Sequence, residues 1–147
     1  MESLFNYEYF MKMALQEAKT AFDLGEVPVG AVIVANNTIL AKTHNLTERL
    51  HDVTSHAEIQ AITAASEFLG AKYLKECTLY VSLEPCVMCA GALYWSQIEK
   101  VVFGAWDEKR GAGRIQASIY HPKTLVRGGV LEQEASLLLK QFFESKR

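Results

Sequence analysis

The chain has 147 residues, 50% hydrophobic and 22% charged, with nine glycines and three prolines, so it holds one globular domain with a sizeable core and excludes a disordered or low-complexity protein. Lys and Arg number 15 against 17 Asp and Glu, a net charge of -2, which excludes whole-molecule attraction to phosphate and confines any nucleic-acid binding to a local patch. No apolar run approaches the roughly 18 to 20 residues of a membrane span, and the start lacks a basic segment leading into an apolar stretch, so a cytoplasmic protein without a membrane partner is expected.

From Tyr7 to Leu24, Phe10, Ala14, Ala18 and Ala21 recur at helical spacing, with Asn6 as N-cap and Gly25 as stop. Val29 to Ala35 is a nearly continuous apolar run, Asn36-Asn37 is a turn pair tolerant of positive φ, and Thr38 to Lys42 resumes as a strand, which makes a β-hairpin. Thr43 to Thr54 is polar and aperiodic and reads as a loop. Ser55 to Leu69 reads as a helix that buries Ile59, Ile62 and Leu69 and ends at Gly70. Thr78 to Ser82 is a short strand. A helix follows from Pro85 to about Ser96, because proline suits the first helical position, where its missing N–H needs no partner. Val101 to Gly104 is a further strand, and after a glycine-rich basic segment Leu131, Ala135, Leu138 and Phe142 mark a closing helix. The order α-β-β-α-β-α-β, then a loop or short strand and a last helix, predicts an α/β protein, a mixed sheet covered by helices, as a single domain over residues 1–147.

The three cysteines, Cys77, Cys86 and Cys89, are an odd number, and the close spacing of two of them points to metal or redox chemistry rather than a disulfide framework. Pro85-Cys86-Val87-Met88-Cys89 puts two thiols in the first turn of a predicted helix, whose N-terminus favours thiolate and where both can reach one ion. Such a soft pair selects zinc but leaves the site incomplete. His56, at the start of the other helix that follows a loop, is the candidate nitrogen ligand, two residues before Glu58. On a regular helix His56 and Glu58 are about 200° apart, so they serve one site only if the ion lies off the helix end. Three protein ligands leave a fourth position for water, which zinc makes acidic near neutral pH, and Glu58 is then the group that moves protons.

Each residue also has an ordinary reading. A lone C-x-x-C can be a redox pair or half of a structural zinc knuckle. Ser55-His56-Ala57-Glu58 fits a capping box, and a histidine at a helix start can simply cap it. His44, His51, His121 or Cys77 could close the metal site in a non-catalytic zinc module, although Cys77, just before a strand, reads better as a small buried hydrophobe. The joint occurrence of His-x-Glu and Pro-Cys-x-x-Cys, in that order, is far more specific and matches the zinc-dependent base deaminases.

With these motifs the sequence resembles the bacterial tRNA adenosine deaminases of the cytidine deaminase-like superfamily. The resemblance spans nearly the whole chain: Glu26-Val27-Pro28-Val29-Gly30-Ala31, Asn45, His56-Ala57-Glu58, Leu83-Glu84-Pro85-Cys86-Val87-Met88-Cys89-Ala90-Gly91-Ala92, Val102-Phe103-Gly104-Ala105 and Phe142-Phe143. It implies a three-layer α/β/α sandwich with a mixed five-stranded sheet and a homodimer. It implies one Zn2+ on His56, Cys86 and Cys89, Glu58 as proton shuttle, and hydrolytic conversion of the wobble adenosine of a tRNA anticodon loop to inosine. For the substrate it implies Asn45 and the Ala57 backbone as hydrogen-bonding partners, Val29 packed on the base, and Asp107 near the RNA backbone. Taken alone, Asn45 can close a turn and Val29 is ordinary strand core.

From Lys109 to Leu131 the chain carries Lys109, Arg110, Arg114, Lys123 and Arg127 and no acidic residue, a patch suited to phosphate contacts around a splayed single-stranded base, or else simply a solvated face. The residue before Asp107 is commonly basic in the resembled family, whereas here it is Trp106, an aromatic surface in place of a phosphate contact. Tyr94-Trp95 resembles the guanine deaminases, so a free nucleobase or nucleoside, guanine or cytosine, is the alternative substrate.

Overall fold

The computed structural model describes residues 6–146. Residues 1–5, on which the expectation of no leader segment falls, lie outside that range. Asn6 sets the first helix, α1 (Tyr7–Asp23), because its side-chain oxygen accepts the Tyr9 N–H at 3.0 Å. Gly25, at φ +79°, turns the chain out of it.

Two strands follow, β1 (Gly30–Ala35) and β2 (Thr38–His44), joined through Asn36 and Asn37 at φ 51° and 61°, the left-handed pair a two-residue hairpin turn requires. The segment expected to be a loop from Thr43 onward instead contains the end of β2 and a short helix, α2 (Thr47–Leu50). The helix forms because a buried carboxylate, Glu26, accepts the N–H groups of Glu48 and Arg49 at 3.0 and 2.7 Å and so satisfies the helix start from outside. Beyond it come α3 (Ala57–Leu69), β3 (Cys77–Leu83), α4 (Val87–Ser96) and β4 (Lys100–Ala105). A single 3-10 turn at Ala112–Arg114, the short strand β5 (Leu125–Arg127) and α5 (Glu132–Ser145) complete the chain.

The strands form one mixed sheet in the order β2-β1-β3-β4-β5. β1 is antiparallel to β2 and β3, whereas β3, β4 and β5 are parallel. Alternation along the central strands divides the core. Ala31, Ile33, Leu79, Val81, Val101 and Phe103 meet Ala57, Ala61, Ala65 and Leu93 of α3 and α4 on one face. Val32, Val34, Tyr80 and Val102 meet Phe10, Met11, Ala14 and Ala135 of α1 and α5 on the other. This is the expected three-layer α/β/α sandwich.

Two details of the helices differ from expectation. The buried stripe of α3 is Ala57, Glu58, Ala61 and Ala65, not Ile59, Ile62 and Leu69; Leu69 is exposed and Ile62 packs only at the margin. Small alanines let the helix approach the sheet closely, so the bulkier residues fall to its flanks. Pro85 does not open α4 as its first residue. It precedes Cys86, the N-cap, whose extended backbone (φ -75°, ψ 176°) is the conformation a cap residue takes.

Candidate metal centre and active site

The ends of two elements meet at the site. β3 and β4 run parallel, and the chain leaving β3 at Leu83 reaches Cys86 within three residues, at the carboxyl edge of the sheet where α/β proteins bind ligands. His56 is the N-cap of α3, with φ -72° and ψ 155°. Because it is extended rather than helical, the 200° separation that a regular helix imposes does not apply, and the imidazole and the Glu58 side chain serve one site. The helix begins one residue later than a Ser55 cap requires, so the capping-box reading fails; His56 makes no side-chain cap bond, and Glu58 is buried.

His56 Nδ1 lies 3.7 Å from Cys86 Sγ and 3.5 Å from Cys89 Sγ. Ligand distances of about 2.0–2.1 Å for Zn–N and 2.3 Å for Zn–S in a tetrahedron give an N···S edge of about 3.6 Å. The three donors fit zinc on chemistry and on spacing. Among the described residues they are the one group of His, Cys, Asp or Glu gathered tightly enough to hold an ion. Among the described residues a fourth protein ligand is not brought in. His44 Nδ1 pairs with Glu17 at 2.9 Å, His121 Nδ1 accepts the Lys123 N–H, His51 is exposed in a left-handed C-cap, and Cys77 is buried at the start of β3. Among the described residues the cluster therefore offers three protein ligands, one fewer than a closed structural site takes.

The electrostatics follow from crowding. Cys86 is drawn down to about 4, chiefly because Cys89 donates to its sulfur, with further help from His56. Cys89 is pushed up by that same hydrogen bond and by burial. His56 is raised by its bond to Cys86 despite partial burial. Burial pushes the Glu58 carboxyl up to about 7, against the lowering effect of its own backbone N–H and of His56.

The residues expected to contact substrate are placed as follows. Asn45 is buried, its N–H donates to the Val29 carbonyl at 3.0 Å, and its Oδ1 has no partner. The turn is thus closed by Asn45's backbone, which leaves its Oδ1 without a partner, and Val29, whose carbonyl takes that bond, is 8% exposed. The neighbouring Leu46 N–H binds the Ser55 carbonyl, which joins this strand end to the His56 turn. Ala57, at the first position of α3, has a backbone N–H that no helical carbonyl can satisfy. Asp107 sits on the loop after β4, where its Oδ1 accepts the Lys109 and Arg110 N–H groups. Its visible work is to shape the basic loop.

Two residues escaped the sequence reading. Glu84, 6% exposed, accepts the Asp107 N–H at 3.0 Å and the Gly113 N–H at 2.9 Å, and so straps the basic loop to the turn that carries Cys86. The glycines are the signal that could have found it: a Cβ on Gly113 would lie 2.6 Å from Glu84 Oε2, and one on Gly111 2.1 Å from Oε1. Gly113→Ala should therefore destabilise the protein by about 1–3 kcal/mol in urea unfolding. In a Glu84→Ala background it should cost no more than about 0.5 kcal/mol, because the carboxylate is the only near neighbour; additive losses would contradict this strap. The other is Tyr120, whose buried hydroxyl has no partner and whose pKa is raised by burial and then by the charges of Glu84 and Glu58. No spacing in the sequence marks it.

Residues 5–105 match the cytidine and deoxycytidylate deaminase zinc-binding region. The chain is 50% identical to the tRNA-specific adenosine deaminase of Aquifex aeolicus over 144 residues, 95% of each chain. A structure from studies of A-to-I editing by tRNA:A34 deaminases at the wobble position of transfer RNA superposes with a TM-score of 0.84 at 41% identity, covering 89% of this chain and 99% of that one. A guanine deaminase from Nitrosomonas europaea superposes with a TM-score of 0.81 at 25% identity, covering 96% and 86%.

Proposed function

The chain belongs to the tRNA-specific adenosine deaminases, within the family of the cytidine and deoxycytidylate deaminase zinc-binding region, and on that premise we propose that it hydrolyses the wobble adenosine of tRNA anticodons to inosine and ammonia. The observation that carries the chemistry is a buried Glu58 beside three donors at tetrahedral spacing. His56, Cys86 and Cys89 would hold the zinc, which would supply a water acidic enough to lose a proton near neutral pH. Glu58 would take that proton and pass it to N1 of adenine as the water oxygen bonds to C6. Glu58 would then take the proton of the new C6 hydroxyl and give it to the exocyclic amine, so that the C6–N bond breaks, C6 becomes the carbonyl of inosine and ammonia departs. Asn45 and the Ala57 N–H hold polar edges of the nucleoside, Val29 packs on the base, and Asp107 borders the RNA backbone.

A homodimer is supported by the exposed apolar residues Val87, Met88 and Trp95, which share one side of α4 at helical spacing. A cytoplasmic location accords with a tRNA substrate, and among the described residues no helix is long and apolar enough to cross a membrane.

The test compares ammonia release from an anticodon hairpin with release from free guanine, cytosine and adenosine. The hairpin alone should react, and its KM should rise about tenfold or more between 50 and 200 mM salt, because phosphate contacts release counterions. Ammonia from free guanine with an inert hairpin would transfer the same machinery to nucleobase metabolism.

A further inference from the structure

Trp106 leaves the sheet where β4 ends, and both of its flanking peptide units are fixed. The Ala105 carbonyl accepts the Glu84 N–H at 2.8 Å, and the Asp107 N–H binds Glu84 Oε1 at 3.0 Å. Glu84 is two residues from Cys86, so the backbone at Trp106 is anchored to the turn that leads into Cys86. Its ring is seated as firmly as its backbone. Phe103, part of the core on the α3 and α4 side, meets it edge-on with centroids 4.7 Å apart and planes at 89°.

Gly128 supplies the other wall: a Cβ there would lie 2.7 Å from Trp106 Cζ2 and 2.4 Å from the Phe103 ring, so the sequence keeps a bare backbone at this point to admit both aromatics. Even so, 53% of Trp106 remains exposed. A large aromatic whose freedom is already restricted, and whose surface is half bare, is prepared to bind something flat at low entropic cost. Lys109 and Arg110, exposed three and four residues further along the same loop, favour a polyanion; Asp107 Oδ1 is taken up by their N–H groups, and of the other carboxylates Glu108 follows in the chain and Glu132 shares the Gly129 side of the indole. The apolar side of α4, in contrast, offers a surface for protein.

We propose that Trp106 is a stacking platform for an unpaired nucleobase that flanks the target base, with Lys109 and Arg110 of the same loop contacting its phosphates. This rests on the tRNA deaminase reading and names a determinant of substrate binding in it. Stacking on an aromatic side chain is sequence-tolerant and releases no counterions, which separates it from the phosphate contacts of the same loop.

Steady-state kinetics of the zinc-loaded protein on the anticodon hairpin provide the first readout. Trp106→Ala should raise KM by about tenfold with kcat changed by less than about twofold, Trp106→Tyr should restore most of the loss, and the salt dependence of KM should keep its slope. The second readout is independent of turnover: a short single-stranded RNA should quench tryptophan fluorescence in the wild-type protein, and that quenching should be absent in Trp106→Tyr. An unchanged KM in Trp106→Ala, equal quenching in both proteins, or a changed sedimentation mass in Trp106→Ala would overturn the platform. If the wild-type protein leaves the hairpin unreacted but loses fluorescence on RNA, the catalytic reading fails while the platform stands. If it edits normally with Trp106→Ala as well as without it, the reverse holds.

Discussion

Glu58→Gln is expected to lower kcat for hairpin deamination by about two to four orders of magnitude while leaving one zinc per chain. Gln has nearly the shape of Glu, so it preserves the packing of a 3% exposed side chain in the stripe of α3. What it removes is the ability to take a proton and return it. Every proton in the proposed reaction passes through this carboxyl, from the water, to N1 and to the departing amine, so no other group inherits the work. Neither Cys86 nor Cys89 can do so while ligating metal, and Tyr120, with its hydroxyl held un-ionised by burial, can only donate. Metal analysis of the purified variant, set beside its kcat, separates a lost shuttle from a lost site. Near-normal turnover with zinc in place would remove Glu58 from the mechanism.

Cys86→Ala is expected to lose zinc and activity together. Two donors remain, His56 and Cys89, and the cluster has no fourth ligand in reserve among the described residues. Zinc content should fall from one per chain to less than about a tenth, and the unfolding midpoint should fall with it, because a ligand that binds only the folded state stabilises it in proportion to the logarithm of its excess over Kd. Far-UV circular dichroism should remain native. Cys86 belongs to neither core cluster, and both faces of the sheet are closed by aliphatic and aromatic contacts that do not involve it. Full zinc occupancy in this variant would mean that the ion is held elsewhere.

The periodic parts of the fold were legible in the sequence because their causes are local. Asn6 caps, the Asn36-Asn37 turn and the alternating strands act within a few residues of where they are written. The cluster of His56, Cys86 and Cys89 was legible for a different reason: His-x-Glu and Pro-Cys-x-x-Cys are short, ordered and chemically restrictive. What stayed hidden depends on partners distant in sequence. The helix α2 exists because Glu26 reaches its backbone from 22 residues away, and the basic loop is strapped down by Glu84 across 29 residues to Gly113. The buried side of α3 followed from how closely alanines approach a sheet, which a hydrophobicity pattern that favours Ile59 and Ile62 does not register. The relation of His56 to Glu58 likewise turned on one extended cap residue rather than on helical geometry.

A centre that deaminates adenosine at one position of a folded anticodon loop must distinguish that position from its neighbours. The zinc-loaded protein is incubated with three hairpins that carry a single loop adenosine at the wobble position, one nucleotide before it, or one after it, and inosine is located by sequencing. Inosine in the first hairpin alone, absent with Glu58→Gln, is the predicted result. Equal conversion at all three positions, or conversion of free nucleoside but of none of the hairpins, would contradict it.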